Sequence, residues 1–414
     1  RNQPGSCLKP FLYALALEKG FVPNDILPDI PTVFGGSEAY IPGNFNRRFN
    51  GPVRLRIALG SSLNIPAVYL LERLGIHNFE DWLAGLGFDS IAASTGNYGL
   101  GLALGNGEVS LEELTRAFAV FPRGGWALDL KFTTAADQEE ARRLMSPYSA
   151  WLITDILSDQ ASRFTGFGAA STFSTEFPSM FKTGTANQFQ HIWALGATPR
   201  YTVGVWMGNF SGETVVGKTG SSIPARIVVD LLRALEKNAS GEKGFPPVPA
   251  AVREIQICSL SGMTAGPYCA GTAREWLPSD KSDKKETPCS WHRQPGSEPI
   301  YPPEYNAWLA ERFRKGTLGS PGNRAAQTGG SDSSRIRLPV SGSVFYFNPA
   351  LPPEAQAIRI ETVGFNADAY VYANDILQGS LNNAGVLALP LRRGRQRIVV
   401  EDGDSVSEVE IEVR

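Results

Sequence analysis

The sequence predicts an α+β domain followed by a small all-β domain. Helical periodicity and a two-stranded β pattern mix within residues 1–237. Residues 336–414 divide into short alternating strands about ten residues apart, which is typical of an immunoglobulin-like sandwich. Between them, residues 238–335 contain a Cys-bearing connector and a stretch rich in Gly and Ser that indicates a flexible linker. We therefore expect three parts with these boundaries.

Apolar spacing predicts the helices of the first part. Gly20 and Gly75 mark two helix ends, and Ser110 with Glu113 forms a capping-box signature at a helix start. The predicted helices cover residues 11–19, 55–74, 111–120, 150–157 and 225–235.

The sheet elements follow a period of two. Residues 192–198 and 201–208 are β-rich runs separated by only two residues, which predicts a hairpin. The strands expected in the terminal domain cover residues 343–347, 357–361, 369–373, 396–401 and 406–413.

Composition excludes several classes of protein. The chain has 414 residues, 42% hydrophobic residues and a net charge of -2, which excludes wholesale disorder and gives no basic footprint for nucleic acid. No apolar run approaches the roughly 20 residues that span a bilayer. The three His lie far apart in sequence, which disfavours a Ser-His-Asp triad.

Three short motifs contain candidate catalytic groups. Ser6 and Lys9 are one helical turn apart, so a lysine that is neutral part of the time can take the proton of the serine. Ser62 and Asn64 form an S-x-N motif. Each motif alone is equally typical of a helix cap or a polar loop.

The third motif is Lys182-Thr183-Gly184-Thr185, which precedes the hairpin. A strand edge with a glycine lets a substrate backbone approach closely, and a lysine with two hydroxyls suits a carboxylate. The triplet recurs at residues 218–220, but no apolar strand precedes it there. We discount this second copy as a loop.

The order S-x-x-K, S-x-N and K-T-G is far more specific than its parts. With the surrounding residues, it resembles the transpeptidase domain of class A (bifunctional) penicillin-binding proteins, and the Cys-bearing segment and terminal domain resemble one subgroup of them. The matching segments are residues 5–13, 58–68, 181–187, 198–209 and 258–262. Cys7 departs from the family, whose members usually carry Thr there.

The resemblance implies a peptidoglycan D,D-transpeptidase with the penicillin-binding and serine β-lactamase fold. Ser6 would attack the penultimate D-Ala carbonyl of a stem peptide, with Lys9 as base. Ser62 would relay a proton and Asn64 would hold Lys9. The terminal carboxylate would be bound by the residues of the third motif, Lys182, Thr183, Gly184 and Thr185. No metal or organic cofactor is implied, and the implied ligands are D-Ala-D-Ala stem peptides and β-lactams.

The resemblance also implies a longer protein on the periplasmic side of the inner membrane. Family members begin with a membrane anchor and a glycosyltransferase domain, and their sheet uses strands that precede the S-x-x-K helix. We therefore expect an N-terminally truncated chain that is inactive or poorly folded by itself, with membrane contact only through the anchor. The terminal β domain is expected to bind a protein partner or to stabilise the chain.

Other functions remain open. A D,D-carboxypeptidase uses the same acyl-enzyme with water as acceptor, and a non-catalytic penicillin-binding module would retain the fold. A class A β-lactamase is disfavoured because no Glu-x-x-x-Asn follows the S-x-N motif before residue 182.

Three cysteines and a histidine cluster in the connector, at Cys258, Cys269, Cys289 and His292. Cys289-x-x-His292 has the spacing of metal ligands, and three Cys with one His is a known zinc set. The upstream pair is not C-x-x-C, and disulfides form in the periplasm. The sequence favours a disulfide or free thiols, with zinc as the alternative.

Overall fold

The computed structural model forms two compact units, residues 1–318 and 319–414. Each unit is described by itself. The residues that the structure describes are 1–35, 40–44, 48–93, 98–133, 141–167, 173–186, 189–209, 211, 213–215, 219–237, 239, 244–279, 287–295, 297–314, 334–345, 357–366, 369–374, 376–382, 385–402 and 405–413.

The helices of the first unit surround a large apolar core. Apart from the one over residues 55–74, the predicted helices are present with shifted ends, and the capping box at Ser110 and Glu113 forms both of its hydrogen bonds. Helices α4, α5, α8 and α10 were not predicted. The helices are α1 Lys9–Glu18, α2 Leu55–Gly60, α3 Asn64–Leu74, α4 Ile76–Gly85, α5 Asp89–Ala92, α6 Leu111–Phe118, α7 Pro147–Ser158, α8 Gln160–Phe167, α9 Ile223–Glu236 and α10 Asn306–Arg314.

The single helix predicted over residues 55–74 is wrong, because the chain breaks between α2 and α3. Ser62 has φ 57°, and Leu63 is extended with ψ 146°. Pro66 explains where the second helix starts, since a proline fits the first turn of a helix and not its interior. The break places Ser62 on a tight turn and Asn64 at the start of α3.

A three-stranded antiparallel sheet lies beside this core, in the order β5-β6-β7. Its strands are β5 Met180–Ala186, β6 His191–Ala197 and β7 Thr202–Gly208. Lys182 pairs with Leu195, and Thr185 pairs with Ile192. The predicted hairpin is thus confirmed, and α9 packs its apolar face on the sheet. The edge strand is the one that carries the K-T-G-T motif.

Smaller sheets complete the first unit. They are β1 Ile26–Asp29 with β2 Gly51–Arg54, β3 Trp126–Ala127 with β4 Arg142–Arg143, and β8 Val252–Cys258 with β9 Thr272–Pro278. Short 3-10 helices cover Gly5–Leu8, Gly99–Leu104 and Pro303–Tyr305.

The predicted connector contains folded elements that join the first unit. Glu275 on β9 is fully buried and accepts hydrogen bonds from Arg56 at 2.7 and 3.0 Å and from Arg54 at 3.3 Å. The indole of Trp308 donates to the Phe49 carbonyl. Residues 315–333, which include nearly all of the expected flexible linker, lie outside the described residues.

The second unit contains two sheets, of three and five strands, in the orders β10-β12-β15 and β11-β17-β16-β13-β14. Buried residues from both sheets, such as Ile360 and Ile398, belong to one apolar cluster. Residues 346–347 of one predicted strand lie outside the described residues. The strands are β10 Arg335–Leu338, β11 Ser343–Phe345, β12 Ala357–Val363, β13 Tyr370–Ala373, β14 Ile376–Ser380, β15 Val386–Pro390, β16 Gly394–Asp402 and β17 Ser405–Val413.

Among the helices of the described residues, none is both long and apolar enough to cross a membrane.

Candidate active site

The three motifs meet at one cavity of about 690 Å³ in the first unit. Ser6 lies in the 3-10 helix that leads into α1, and Lys9 begins α1. The cavity is lined by Gln3, Ser6, Tyr40, Ser61, Ser62, Asn64, Gly101, Leu104, Gly105, Asn106, Thr183, Thr185, Ala186, Thr219 and Ser221.

The Lys9 amine connects the first two motifs. Its Nζ donates to the Ser62 carbonyl oxygen at 2.7 Å and to Asn64 Oδ1 at 2.6 Å. Lys9 is fully buried, so these bonds offset the cost of removing a polar group from water. In the turn between α2 and α3, Ser62 has a positive φ, and such strained backbone is typical of functional sites.

Lys182 connects the third motif to the second. Its Nζ donates to Ser62 Oγ at 2.9 Å and to the Thr183 carbonyl oxygen at 2.8 Å. Ser62 therefore has Lys9 on its carbonyl and Lys182 on its hydroxyl. All the motif residues named from the sequence converge here, although Lys9, Lys182 and Gly184 lie beside the cavity and do not line it.

Burial sets the charge of both lysines. Burial, and next the nearby charge of Lys182, lower the pKa of Lys9 well below its usual value, while Asp29 opposes the shift. Burial likewise lowers the pKa of Lys182 to about 8. Burial thus favours the neutral form of Lys9, which is the form that can accept a proton, while Lys182 with its pKa of about 8 remains mostly a cation near pH 7.

Cys7 does not compete with Ser6 as a nucleophile. It is fully buried, and burial raises the pKa of its thiol to about 12. The thiolate is the reactive form, so this thiol is inert at neutral pH.

Glycines let two backbone segments approach each other at the edge strand. A Cβ on Gly5 would lie 2.7 Å from the Thr185 carbonyl oxygen, and one on Gly184 would lie 2.1 Å from that of Pro4. Gly5 also has φ +56°, which favours glycine. The segment that presents Ser6 thereby lies against β5.

The discounted second K-T-G triplet contributes to the site. Thr219 and Ser221 line the cavity, and the Gly220 amide donates to Thr185 Oγ1 at 3.3 Å. The described part of this segment is a loop before α9, as predicted, but setting it aside from the site is wrong, because the loop at the start of α9 lies against β5. Lys218 itself lies outside the described residues.

A buried carboxylate behind Asn64 was missed from the sequence. Asp29, fully buried on β1, accepts from Asn44 Nδ2 at 2.6 Å and from the amide and side chain of Asn50. Asn44 Oδ1 in turn accepts the Asn64 amide at 2.8 Å. Burial raises the pKa of Asp29, and its hydrogen bonds oppose that shift. No local motif marks this chain of contacts, since it joins residues 29, 44 and 64 by topology alone.

The four potential metal ligands of the predicted connector also come together. Cys258, Cys269, Cys289 and His292 place one ligand atom each within 4.8 Å of the others, and the cysteines are free thiols.

A serine beside two buried lysines and an edge strand is an arrangement suited to acyl transfer, and sequence comparison places the chain in a family. The family model described as "Penicillin binding protein transpeptidase domain" matches residues 1–233. The chain belongs to that family. The resemblance to class A penicillin-binding proteins is thereby confirmed.

Individual relatives agree with this assignment. Penicillin-binding protein 1C of Escherichia coli, a member of the subgroup indicated by residues 258–262, is 32% identical over 317 residues, covering 76% of this chain and 39% of that protein. Penicillin-binding protein 1F of Bacillus subtilis is 31% identical over 278 residues, covering 62% and 36%. The chain spans well under half the length of these relatives.

A solved structure shares the fold. Penicillin-Binding Protein 1A from Haemophilus influenzae superposes with a TM-score of 0.56 at 24% identity, covering 72% of this chain and 49% of that one. The predicted penicillin-binding transpeptidase fold of the first unit is confirmed.

Proposed function

We propose that this chain contains the serine D,D-transpeptidase activity of a peptidoglycan synthase. The observation that carries the proposal is the position of Lys9. A neutral amine has two N–H groups and one lone pair, and Ser62 and Asn64 accept two N–H bonds. The lone pair is then available to the Ser6 hydroxyl one turn away.

Acylation follows from this arrangement. Ser6 Oγ attacks the carbonyl carbon of the penultimate D-Ala while Lys9 takes its proton. The backbone N–H groups of Ser6 and Thr185 stabilise the oxyanion, and the close approach that Gly5 permits supports this role. The C–N bond then breaks, the leaving D-Ala amine takes a proton from the Ser62 hydroxyl, and Ser62 regains a proton from the Lys9 ammonium.

Substrate orientation depends on the edge strand. Lys182 supplies a cation for the terminal carboxylate, and Thr183 and Thr185 supply hydroxyls. An amine of a neighbouring stem peptide next attacks the Ser6 ester. A new peptide bond forms, and Ser6 regains its proton. β-Lactams acylate Ser6 by the same attack, which the family name supports.

The second unit is assigned an accessory role on the periplasmic side of the inner membrane. Its two sheets share one apolar cluster, which supports an immunoglobulin-like sandwich that folds independently. Such a tethered module is suited to contact a protein partner, whereas the chemistry resides in the first unit.

Covalent labelling with a fluorescent penicillin tests the proposal. The longest natural polypeptide that contains this chain should label stoichiometrically and cross-link stem peptides. Ser6→Ala should reduce acylation by about 10⁶-fold, because nucleophile and base act as a unit.

Ser158→Ala on the outer part of α7 is the matched control and should label normally. Persistent labelling of Ser6→Ala would reject the nucleophile. Release of D-Ala without any cross-linked product would show that water, and not an amine, is the acceptor.

A further inference from the structure

Three thiols and an imidazole converge in the first unit without any role in the cavity. Cys258, Cys269, Cys289 and His292 come from three separate stretches, yet their ligand atoms all lie within 4.8 Å of one another. Cys258 is fully buried, and the other three are partly buried. Converging soft ligands at this separation are the donor set that zinc prefers.

Two S···N distances to His292 fit those expected around a tetrahedral zinc ion. His292 Nδ1 lies 3.3 Å from Cys289 Sγ and 3.6 Å from Cys258 Sγ. Zinc bonds of about 2.3 Å to sulfur and about 2.05 Å to nitrogen place tetrahedral S···N pairs about 3.5 Å apart. The geometry points to a structural zinc site of the Cys3His type at these four residues.

The surrounding backbone is built to hold thiolates. The Gly266 amide donates to Cys269 Sγ at 3.3 Å, and Ser261 Oγ lies 3.2 Å from Cys289 Sγ. Such outer hydrogen bonds orient metal ligands and stabilise their negative charge. The Cys289 amide donates to the Thr264 carbonyl oxygen, which fixes the stretch with Cys289 and His292 against the segment between Cys258 and Cys269.

The site would fasten the connector to the catalytic unit. Leu260, Met263 and Cys289 pack on a cluster formed by Trp291, Tyr305 and Trp308, which also receives Ile26 and Ile30.

Asn24 Nδ2 donates to the Gly262 carbonyl oxygen at 2.7 Å, and a Cβ on Gly262 would lie 2.0 Å from the Asn24 oxygen. The loop after Cys258 thus abuts the start of β1, the strand that carries Asp29. Because all four zinc positions are filled by protein, the ion would stabilise the fold and not activate water.

A disulfide is the competing outcome. It would join two of the three cysteines at an S–S distance of about 2.05 Å and remove both thiolates from the donor set. One thiol and the imidazole would then remain, which is too few ligands for a structural zinc ion.

Metal analysis of the protein purified without added metal or chelator decides between these states. We expect about one zinc per chain, and cobalt exchanged into the site should give the thiolate charge-transfer and intense ligand-field bands of a tetrahedral sulfur-rich complex. Chelation should lower the melting temperature of the first unit, and zinc should restore it. A mass lower by two hydrogen atoms, with two thiols lost, would indicate a disulfide and overturn the proposal. Absence of metal from the fully reduced protein after incubation with zinc would also overturn it.

Variants locate the ligands. Cys269→Ser and His292→Ala should each lose the zinc and the cobalt bands, whereas Cys7→Ser, which changes a buried thiol outside the cluster, should retain one zinc per chain. If Cys269→Ser is unstable, the test is instead the alkylation of thiols in the unchanged protein. Zinc should protect three thiols from alkylation, and equal alkylation with and without zinc would refute the site.

Discussion

The two units of the chain differ in what they bury. The first unit encloses Lys9, Asp29 and Lys182, each less than 5% exposed. Among the described residues of the second unit, Gln396 is the one buried polar side chain, and the core is otherwise aliphatic. Buried charge costs stability unless it is paired, so a fold retains it mainly where it serves chemistry.

The comparison also separates two ways of holding a backbone. In the first unit, Gly5, Gly184 and Gly220 remove Cβ atoms so that strands and loops meet at the cavity. In the second unit, β16 and β17 pair regularly over nine residues each. Regular pairing of this kind favours stability, whereas the close backbone approaches in the first unit leave room for a substrate beside β5. The buried lysines should therefore affect reactivity more than any feature of the second unit.

Replacement of Lys182 should produce a larger effect than changes at Asp29 or in the second unit. Lys182→Ala removes both the cation for the carboxylate and the donor to Ser62 Oγ, and we expect penicillin acylation to fall by about 10²–10³-fold. Lys237→Ala, at the exposed end of α9, is the matched control and should acylate normally. Stopped-flow or gel-based labelling measures both.

The pH profile sharpens this prediction. Acylation should fall at low pH as Lys9 gains a proton, and should fall again above about pH 8 as Lys182 loses its own. Lys182→Ala should remove the alkaline limb and move the acid limb to higher pH, because the charge of Lys182 lowers the pKa of Lys9. An unchanged alkaline limb in that variant would show that another group controls it.

Asp29 should have a smaller effect with a distinctive signature. Asp29→Asn places an amide against the Asn44 donor, so Asn64 shifts and acylation should fall about tenfold to hundredfold. The negative charge of Asp29 raises the pKa of Lys9, so its removal should move the acid limb to lower pH.

Asp230→Asn, whose side chain is 73% exposed on α9, is the control and should leave the limb in place. A lower rate with an unmoved limb would reduce Asp29 to a purely structural residue. The melting temperature of each variant is measured alongside, because the Asn44 and Asn50 contacts also contribute to stability.

Local patterns account for what the sequence could predict. The hairpin of β6 and β7 follows from two apolar runs two residues apart, and the α6 start follows from Ser110 and Glu113, whose mutual bonds are local. The three motifs were found because their residue types and order are specific. Their convergence on Lys9 could be expected only through the family resemblance.

Long-range contacts account for what was missed. The break before α3 places Ser62 between two lysines, and helical periodicity does not record such contacts. Asp29 acts across 35 residues through Asn44, and Gly220 reaches Thr185 across the whole hairpin. Such contacts arise from topology, so a single sequence gives no signal for them.

The second unit offers the smallest expected effect. Its described strands expose Glu, Asp and Arg side chains such as Arg359 and Glu408, and its core is a separate apolar cluster. Removal of residues 319–414 should therefore leave penicillin acylation by the remaining protein within about threefold of normal, since a unit with its own core contributes little to the folding of another.

Residues 319–414 expressed alone should be soluble and melt in one cooperative transition, because the aliphatic cluster of two sheets needs no residue from the first unit. The acylation rate and the melting curve of the shortened protein must be measured together. A loss of acylation with a collapsed melting transition would show that the second unit stabilises the first. A loss of acylation while the first unit still melts cooperatively would place the second unit within the catalytic machinery. Unchanged acylation with reduced cross-linking would instead assign it to the acceptor step or to a partner that delivers the acceptor strand.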